Sequence, residues 1–322
     1  MTSTPEVSVV IATRNRWGFL STHGLPSALG QEEVELEVIV VDDCSTDETS
    51  ARLAELDDRR VRVVRHETRR KLAGAHNTGV AEARGEWLAF LDDDDLWAPR
   101  KLRTQLDTAA REGTDWVYSA AVVVDEHKRV LEADPFPDPR ELQHLLLQGN
   151  FVPGGGSNVI ARADVVRRVG GFDESLVRFS DWDLWIRLAQ SGPPAASPIV
   201  SVARVEHGQN MVIRDRAHAL ESFTSLLGKH RQVTRRDRLS VAEWTAHEHH
   251  RAGRRTLAAW LYLRAAVEYR SPGNVPPAVG ALFGEPGMRL ASRLLVALKG
   301  SSHVEPESRA VPPEPPWLDS YR

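Results

Sequence analysis

An α/β fold with a mostly parallel central sheet is what this sequence predicts, and three observations carry that expectation. Runs of β-branched residues the length of buried strands alternate with segments of helical pattern through the first 213 residues. The runs end in polar clusters: Thr13-Arg14, Asp42-Asp43 and Asp92-Asp93-Asp94-Asp95. The 322 residues are 41% hydrophobic and 27% charged, the composition of an ordinary globular chain with room for one large domain and an appendage. In sheets of this class ligands bind where the strands end, so the three clusters are expected to meet in one crevice.

Taken in order, Val7–Thr13 reads as a buried first strand and Trp17–Leu29 as a helix. Leu36–Val41 is the second strand. Ser45 or Thr46 is its neighbouring helix cap, and an acidic first turn leads into a helix ending at Leu56. Val61–Val64 is a short third strand, and Leu72–Arg84 a helix weakened by Gly74 and Gly79. Trp87–Leu91 is the fourth strand and runs straight into four carboxylates. Such charges repel one another and resist desolvation, and a divalent cation with oxygen ligands compensates them. If the backbone stays extended, Asp92 and Asp94 share one face, with Asp93 and Asp95 on the other. A helix at Lys101–Arg111 and a strand at Trp116–Val124 continue the alternation.

The second half is less regular. Asp134–Asp138 is a proline-broken loop, and Leu142–Leu147 a short helix. Gly154-Gly155-Gly156 lets backbone approach a ligand closely. A strand at Val159-Ile160, a helix at Asp164–Val169 and a Gly170-Gly171 turn follow. Ser180 is placed as the cap of a helix whose first turn holds Asp181 and Asp183. Asp181 shares a face with Trp185 and Leu188, a setting that raises a carboxyl pKa and suits a general base, and Asp183 can pair with Arg187. Ile199–Val205 is a last strand before His207. Helical patterns then cover His218–Lys229, Ala242–Tyr269 and Arg289–Lys299, and Ser301–Arg322 is Pro- and Glu-rich and expected to be disordered.

Several classes are excluded. No Gly-rich phosphate turn follows the first strand and no Gly-Lys-Ser/Thr occurs, which argues against a nicotinamide oxidoreductase and a P-loop NTPase. The single cysteine, Cys44, rules out an intrachain disulfide and a cysteine-rich zinc site. The start of the chain lacks the regions of a signal peptide and no apolar run reaches bilayer length, so a cytosolic protein is expected. The net charge of −4 conceals −10 over residues 1–213, +8 over 214–299 and −2 over 300–322. The basic segment could cover the active site, mediate a homodimer, or touch an anionic membrane.

The ordered motifs Val7–Arg16, Val40–Asp47, Ala75–Trp87, Phe90–Asp95, Gly170–Glu174 and Ser180–Leu188 together resemble the family 2 glycosyltransferases of GT-A fold. The resemblance spans residues 7 to 210 and implies an inverting enzyme that uses Mn2+ or Mg2+. It divides the chain into a catalytic domain at 1–213, basic helices at 214–299 and a tail at 300–322. It places Thr13, Arg14, Asn15, Asp43, Asn77, Asp92 and Asp93 at the nucleotide donor, with Asp93 and Asp95 also supporting the turn. Asp94 and His207 would ligate the metal, Asp181 would deprotonate the acceptor, and Gly154, Gly155, Gly156 and Trp182 would face that acceptor. The implied donor is a nucleotide-diphosphate sugar, UDP-linked first. The implied acceptor is a saccharide, lipid-linked or small-molecule hydroxyl, without nucleic acid, in the cytoplasm or at its membrane face. Two departures matter: Ser180 and His76 stand where many relatives have Glu and Arg. A sugar-phosphate nucleotidyltransferase and a non-catalytic sugar-nucleotide-binding protein stay open as alternatives.

Overall fold

Seven consecutive β-branched or small residues make Val7–Thr13 (β1) a strand with no accessible face, and parallel neighbours cover both edges. Leu36–Asp42 (β2) and Val61–Arg65 (β3) lie on one side, and Trp87–Asp92 (β4) on the other, all parallel. This register carries function: Thr13 pairs with Asp42, and Ala12 with Asp92, so three polar clusters distant in sequence end level in space. The structure is a computed structural model, which describes residues 4–207, 219–232, 234–251, 253–299 and 313–322.

Beyond β4 the sheet changes direction. Leu96–Trp97 (β5), Trp116–Val124 (β6), Val130–Ala133 (β7), Ile160–Arg162 (β8) and Ala195–Val205 (β9) complete nine strands. Their order is β3-β2-β1-β4-β8-β6-β9-β5, with β7 beside β6. Strand β8 is antiparallel to both β4 and β6, while β9 is parallel to β6. The expected strand at Ile199–Val205 starts four residues earlier, at Ala195. Helices Trp17–Thr22 (α1), Gly24–Leu29 (α2), Thr49–Ala54 (α3), Lys71–Glu82 (α4), Lys101–Glu112 (α5), Pro139–Leu145 (α6), Ala163–Arg168 (α7) and Ser180–Ser191 (α8) accompany it.

Further expectations about elements are corrected. The single helix at Trp17–Leu29 breaks at His23, which lets Gly24 donate its N–H to the carbonyl of Asp93 at 3.3 Å. A Cβ on Gly24 would stand 3.1 Å from Asp93 backbone, a tight contact that a larger residue could make only if the turn shifted by a few tenths of an ångström. Ser180 does not cap α8; Phe179, in left-handed conformation (φ 64°), holds that position without a side-chain bond. The tail departs from disorder over residues 313–322. Pro316–Tyr321 forms a 3-10 turn, with Leu318 fully buried among Leu96, Val122, Val124, Ala203 and Val205. Two aromatics and one leucine supply enough apolar surface to anchor so short a segment.

By compactness the chain forms two units, one of residues 1–206 with 311–322 and one of 207–310; the division falls at 206/207 rather than at 213. The described helices of the second are Ala219–His230 (α9), Arg235–Arg251 (α10), Arg255–Glu268 (α11), Val275–Leu282 (α12) and Gly284–Lys299 (α13). The expected helix at Ala242–Tyr269 is divided between α10 and α11 at Gly253, whose φ of 71° suits a helix end. Residues 208–218 and 300–312, on which some expectations fell, lie outside the described residues.

Candidate functional site

The acidic stretch is not extended. After Asp92 the chain turns, with Asp95 N–H donating to the Asp92 carbonyl at 3.3 Å, and enters the short strand β5. The alternating arrangement therefore does not hold. Oxygens of Asp92, Asp94 and Asp95 gather within 4.8 Å of one another, while Asp93 faces Thr13.

Each member is held differently. Thr13 Oγ1 donates to Asp93 Oδ2 at 2.7 Å, so the end of β1 steadies the turn. Asp95 accepts from Ser157 Oγ at 2.5 Å and from Val205 N–H at 3.1 Å, which ties the turn to the Gly-rich loop and to β9. Arg16 lies 3.1 Å from Asp93 through Nε and hydrogen-bonds Asp94 through Nη2. Sequence reasoning passed over Arg16, which is separated from Asp94 by 78 residues and sits in a loop where arginines are ordinarily solvated. The partnership of β1 with β4 was the signal that could have found it.

Burial, then repulsion from Asp94, Asp93 and Asp181, pushes the Asp92 carboxyl up to about 8; Arg16 opposes the shift. Asp93 is pushed up to about 7 by burial, with Arg16 opposing, and Asp95 rises well above the usual range, first through burial. Asp92 retains some accessible surface, so the acidic group can be reached from solvent. Three hard oxygen donors gathered this closely, with Asp92 and Asp95 raised first by burial, suit a magnesium- or manganese-type ion, which would displace the protons those two hold. Both oxygens of Asp95 already accept hydrogen bonds, and Asp94 Oδ2 accepts from Arg16.

Behind the turn lies a buried polar network. Trp97 Nε1 donates to the Ser157 carbonyl at 2.6 Å, and Gln105 Nε2 to the Asn158 carbonyl at 2.9 Å. Asn158 Oδ1 accepts from Ser119 N–H at 2.9 Å, and its Nδ2 donates to Pro153 O at 2.8 Å. Lys101, fully buried, places Nζ 4.0 Å from the Trp97 ring centre and 2.8 Å from Gln105 Oε1; burial holds its pKa well below the usual lysine range. A satisfied network of this kind keeps the loop at 154–158 and the acidic turn in one fixed relation.

The glycine loop then bridges the site's two carboxylates. Gly154 and Gly155 adopt φ of 66° and 54°, where any other residue would be strained. A Cβ on Gly156 would come 3.7 Å from both Asp92 oxygens, and one on Gly155 would stand 4.0 Å from Asp181 Oδ2. Asp181, in the first turn of α8, accepts from Asn150 Nδ2 at 3.1 Å, and burial raises its pKa. Asp183 pairs with Arg187 as expected, Nη2 to Oδ2 at 2.6 Å.

Other predicted residues take supporting positions. Asp43 accepts from the backbone N–H groups of Arg70 (2.7 Å) and Lys71 (2.8 Å) and bonds His66 at 2.9 Å, fixing the start of α4. Asn15 joins the β1 and β2 loops by accepting from Thr46 N–H at 2.7 Å. Arg14, next to it, is half-buried. Asn77 uses both ends of its amide on the Phe172 backbone, at 2.8 Å each way. The Trp182 indole is buried and donates to Leu146 O at 2.7 Å, holding the residue that follows α6. His76 packs 4.7 Å from the Phe172 ring and 5.5 Å from Phe90; burial lowers it to about 4, so it brings no charge to the site. His207 is buried and is the first residue of the second unit, and Asp95 joins Asp92 and Asp94 in the acidic group at the turn.

Comparison with known proteins agrees with this geometry. The family described as Glycosyl transferase family 2 matches residues 8–170. The succinoglycan biosynthesis protein ExoO of Rhizobium meliloti is 36% identical over 160 residues, 50% of this chain and 44% of that protein. The UDP-Glc:alpha-D-GlcNAc-diphosphoundecaprenol beta-1,3-glucosyltransferase WfgD of Escherichia coli is 27% identical over 182 residues, 56% of this chain and 69% of that one. The chain thus spans less than half the length of the first of these relatives. Among solved structures, S. aureus TarS 1-349 in complex with UDP-GlcNAc superposes with a TM-score of 0.54 at 17% identity, covering 91% of this chain and 83% of that one. The mannosyltransferase PcManGT from Pyrobaculum calidifontis in complex with GDP-Man and Mn2+ gives 0.53 at 20% identity, covering 92% and 87%. Both likenesses show the GT-A fold.

Proposed function

The chain belongs to glycosyl transferase family 2 and is a glycosyltransferase, and we propose that it works by inversion with a divalent cation, Asp181 serving as the base. The donor is a nucleotide-diphosphate sugar, with UDP-sugars first, since the names of WfgD and the TarS complex both carry one. The acceptor is a hydroxyl of a saccharide, lipid-linked or small-molecule compound, met in the cytoplasm or at its membrane face.

The observation that carries this reading is the Gly155-Gly156 bridge, which sets Asp181 on one side of a bare stretch of backbone and Asp92 on the other. Asp92 and Asp94 would hold a cation, which when bound neutralises charge on the diphosphate. Arg16, already paired with Asp93 and Asp94, adds positive charge on the same side. The acceptor oxygen forms its bond to the anomeric carbon as the bond from that carbon to the diphosphate oxygen breaks. The diphosphate leaves with the electron pair and the hydroxyl proton passes to Asp181. Burial raises Asp181, and a stronger base takes that proton more readily.

The test is a panel of nucleotide sugars with Mn2+ or Mg2+, reading nucleoside diphosphate release with and without acceptors. Asp181→Asn is expected to fold and bind donor while losing roughly 10²- to 10⁴-fold in turnover. Near-normal turnover in that variant would remove Asp181 from the base position.

A further inference from the structure

In the second unit Phe223, Leu226, Leu227 and Val241 are buried, but from α11 to α13 alanines supply most of the buried positions and large apolar side chains face outward. Ala246, Ala258, Ala259, Ala278 and Ala281 form its buried cluster with Tyr262. Trp260, Leu263 and Val267 of α11 are 53%, 50% and 73% exposed. At 100° per residue, these three and Leu257 share about a third of the helix circumference, opposite the alanines. A contiguous exposed apolar stripe of this size marks an interaction surface.

The next two helices repeat the pattern. Val275, Val279, Leu282 and Phe283 follow i, i+4, i+7, i+8 spacing along α12 and its cap, and all are exposed, Phe283 at 68%. On α13, Leu290 and Leu294 are exposed in the same i, i+4 relation. α12 and α13 meet backbone to backbone: a Cβ on Gly280 would lie 2.6 Å from the Gly287 carbonyl oxygen. Gly284 rests against the Arg255 guanidinium, so the far end of α12 returns to the start of α11.

Charge decides what covers this face. Residues 254–299 hold seven Lys/Arg against two Asp/Glu, a net +5. Arg264 lies 5.6 Å over the Trp260 ring, and Arg255, Arg289 and Arg293 are exposed beside the apolar positions. A second copy would bring the same positive charge against itself, whereas anionic headgroups neutralise it. Among the described residues no helix is long and apolar enough to cross a membrane, so contact would be peripheral. We propose that the outward faces of α11, α12 and α13 dock on an anionic lipid surface, with Trp260 and Phe283 entering the headgroup boundary and the arginines meeting phosphates. This surface stands independently of the donor reading.

Flotation of the intact chain with vesicles of phosphatidylcholine, alone or mixed with phosphatidylglycerol, tests it. Binding is expected to the mixed vesicles, weakened by salt. Trp260→Glu and Phe283→Glu should each lower it about tenfold or more while leaving the circular dichroism spectrum intact, because both side chains are exposed. Equal binding by variants and wild type, equal binding to both vesicle types, or no binding by wild type overturns the proposal. A wild-type dimer that these substitutions dissociate, with vesicle binding unchanged, also overturns it and makes a second copy the occupant.

Discussion

The sheet of the first unit and helices α11–α13 of the second treat their large apolar side chains differently. In the first, Trp97, Trp116 and Trp185 are all fully buried or nearly so, and the interior also accepts charge at the acidic turn. In the second, Trp260 and Phe283 stand in solvent above a layer of alanines. The difference teaches what each unit is built to present. The first must hold carboxylates against their mutual repulsion, which needs a rigid, fully packed surround. The second must pack backbone to backbone while leaving its apolar bulk on the outside.

The sharpest way to break that contrast compares two tryptophans. Trp116 is 1% exposed and donates Nε1 to Gly192 O at 2.9 Å, whereas Trp260 is 53% exposed. Trp116→Ala should cost about 3–5 kcal/mol, read from urea denaturation. Trp260→Ala should cost about 1 kcal/mol or less, including its lost contact with Arg264. Equal costs would mean that Trp260 is a core residue after all.

A second, smaller effect sharpens the account of the acidic turn. Folding raises the carboxyl of Asp92 to about 8 and that of Asp93 to about 7. The cation-free folded chain therefore keeps protons that the unfolded chain releases near pH 4. Their contribution to stability falls as pH rises from 4 toward 8. A divalent cation must displace those protons, so its affinity should be full above pH 8 and decline below it. Between pH 8.5 and 6.5 Mn2+ affinity is expected to drop roughly tenfold or more, seen as a shrinking thermal shift. A shift that stays constant over that window would place the cation elsewhere.

These contrasts also mark what could be read from residues alone. Parallel strands buried on both faces appear as continuous apolar runs, so β1, β2 and β4 were legible, as were the carboxylates that end them. Asp181 was legible because its helix sets it beside Trp185 and Leu188. Arg16 was not, because its partners depend on the pairing of β1 with β4. The turn at Asp93-Asp94 was hidden too: period-two reasoning assumes a strand that continues, and here the ladder stops at Asp92. Asn77 and Trp182 lie within motifs, and their side-chain bonds to the Phe172 backbone and the Leu146 carbonyl depend on tertiary neighbours that no motif spacing reveals. In the second unit, helical spacing shows which residues share a face. It does not show which face turns inward, and composition suggests the opposite of what is found.

The tail supplies the finest distinction, because it is a polar-looking segment that behaves as part of the first unit. Tyr321 donates its hydroxyl to Trp97 O at 2.9 Å, and Trp317 Nε1 donates to Val200 O at 3.0 Å. Trp97 follows the acidic turn by two residues and is clamped on its other side by Ser157. The tail thus grips β5 from outside while the Gly-rich loop grips it from inside. Tyr321→Phe removes one hydrogen bond but keeps the ring, so it should lower stability by about 1 kcal/mol. Mn2+ affinity should stay unchanged, because Ser157 and Val205 still hold Asp95. Isothermal titration beside urea denaturation separates these two readouts. Weakened Mn2+ binding without lost stability would mean that the acidic turn is set from the tail's side, and not by the network behind the glycine loop.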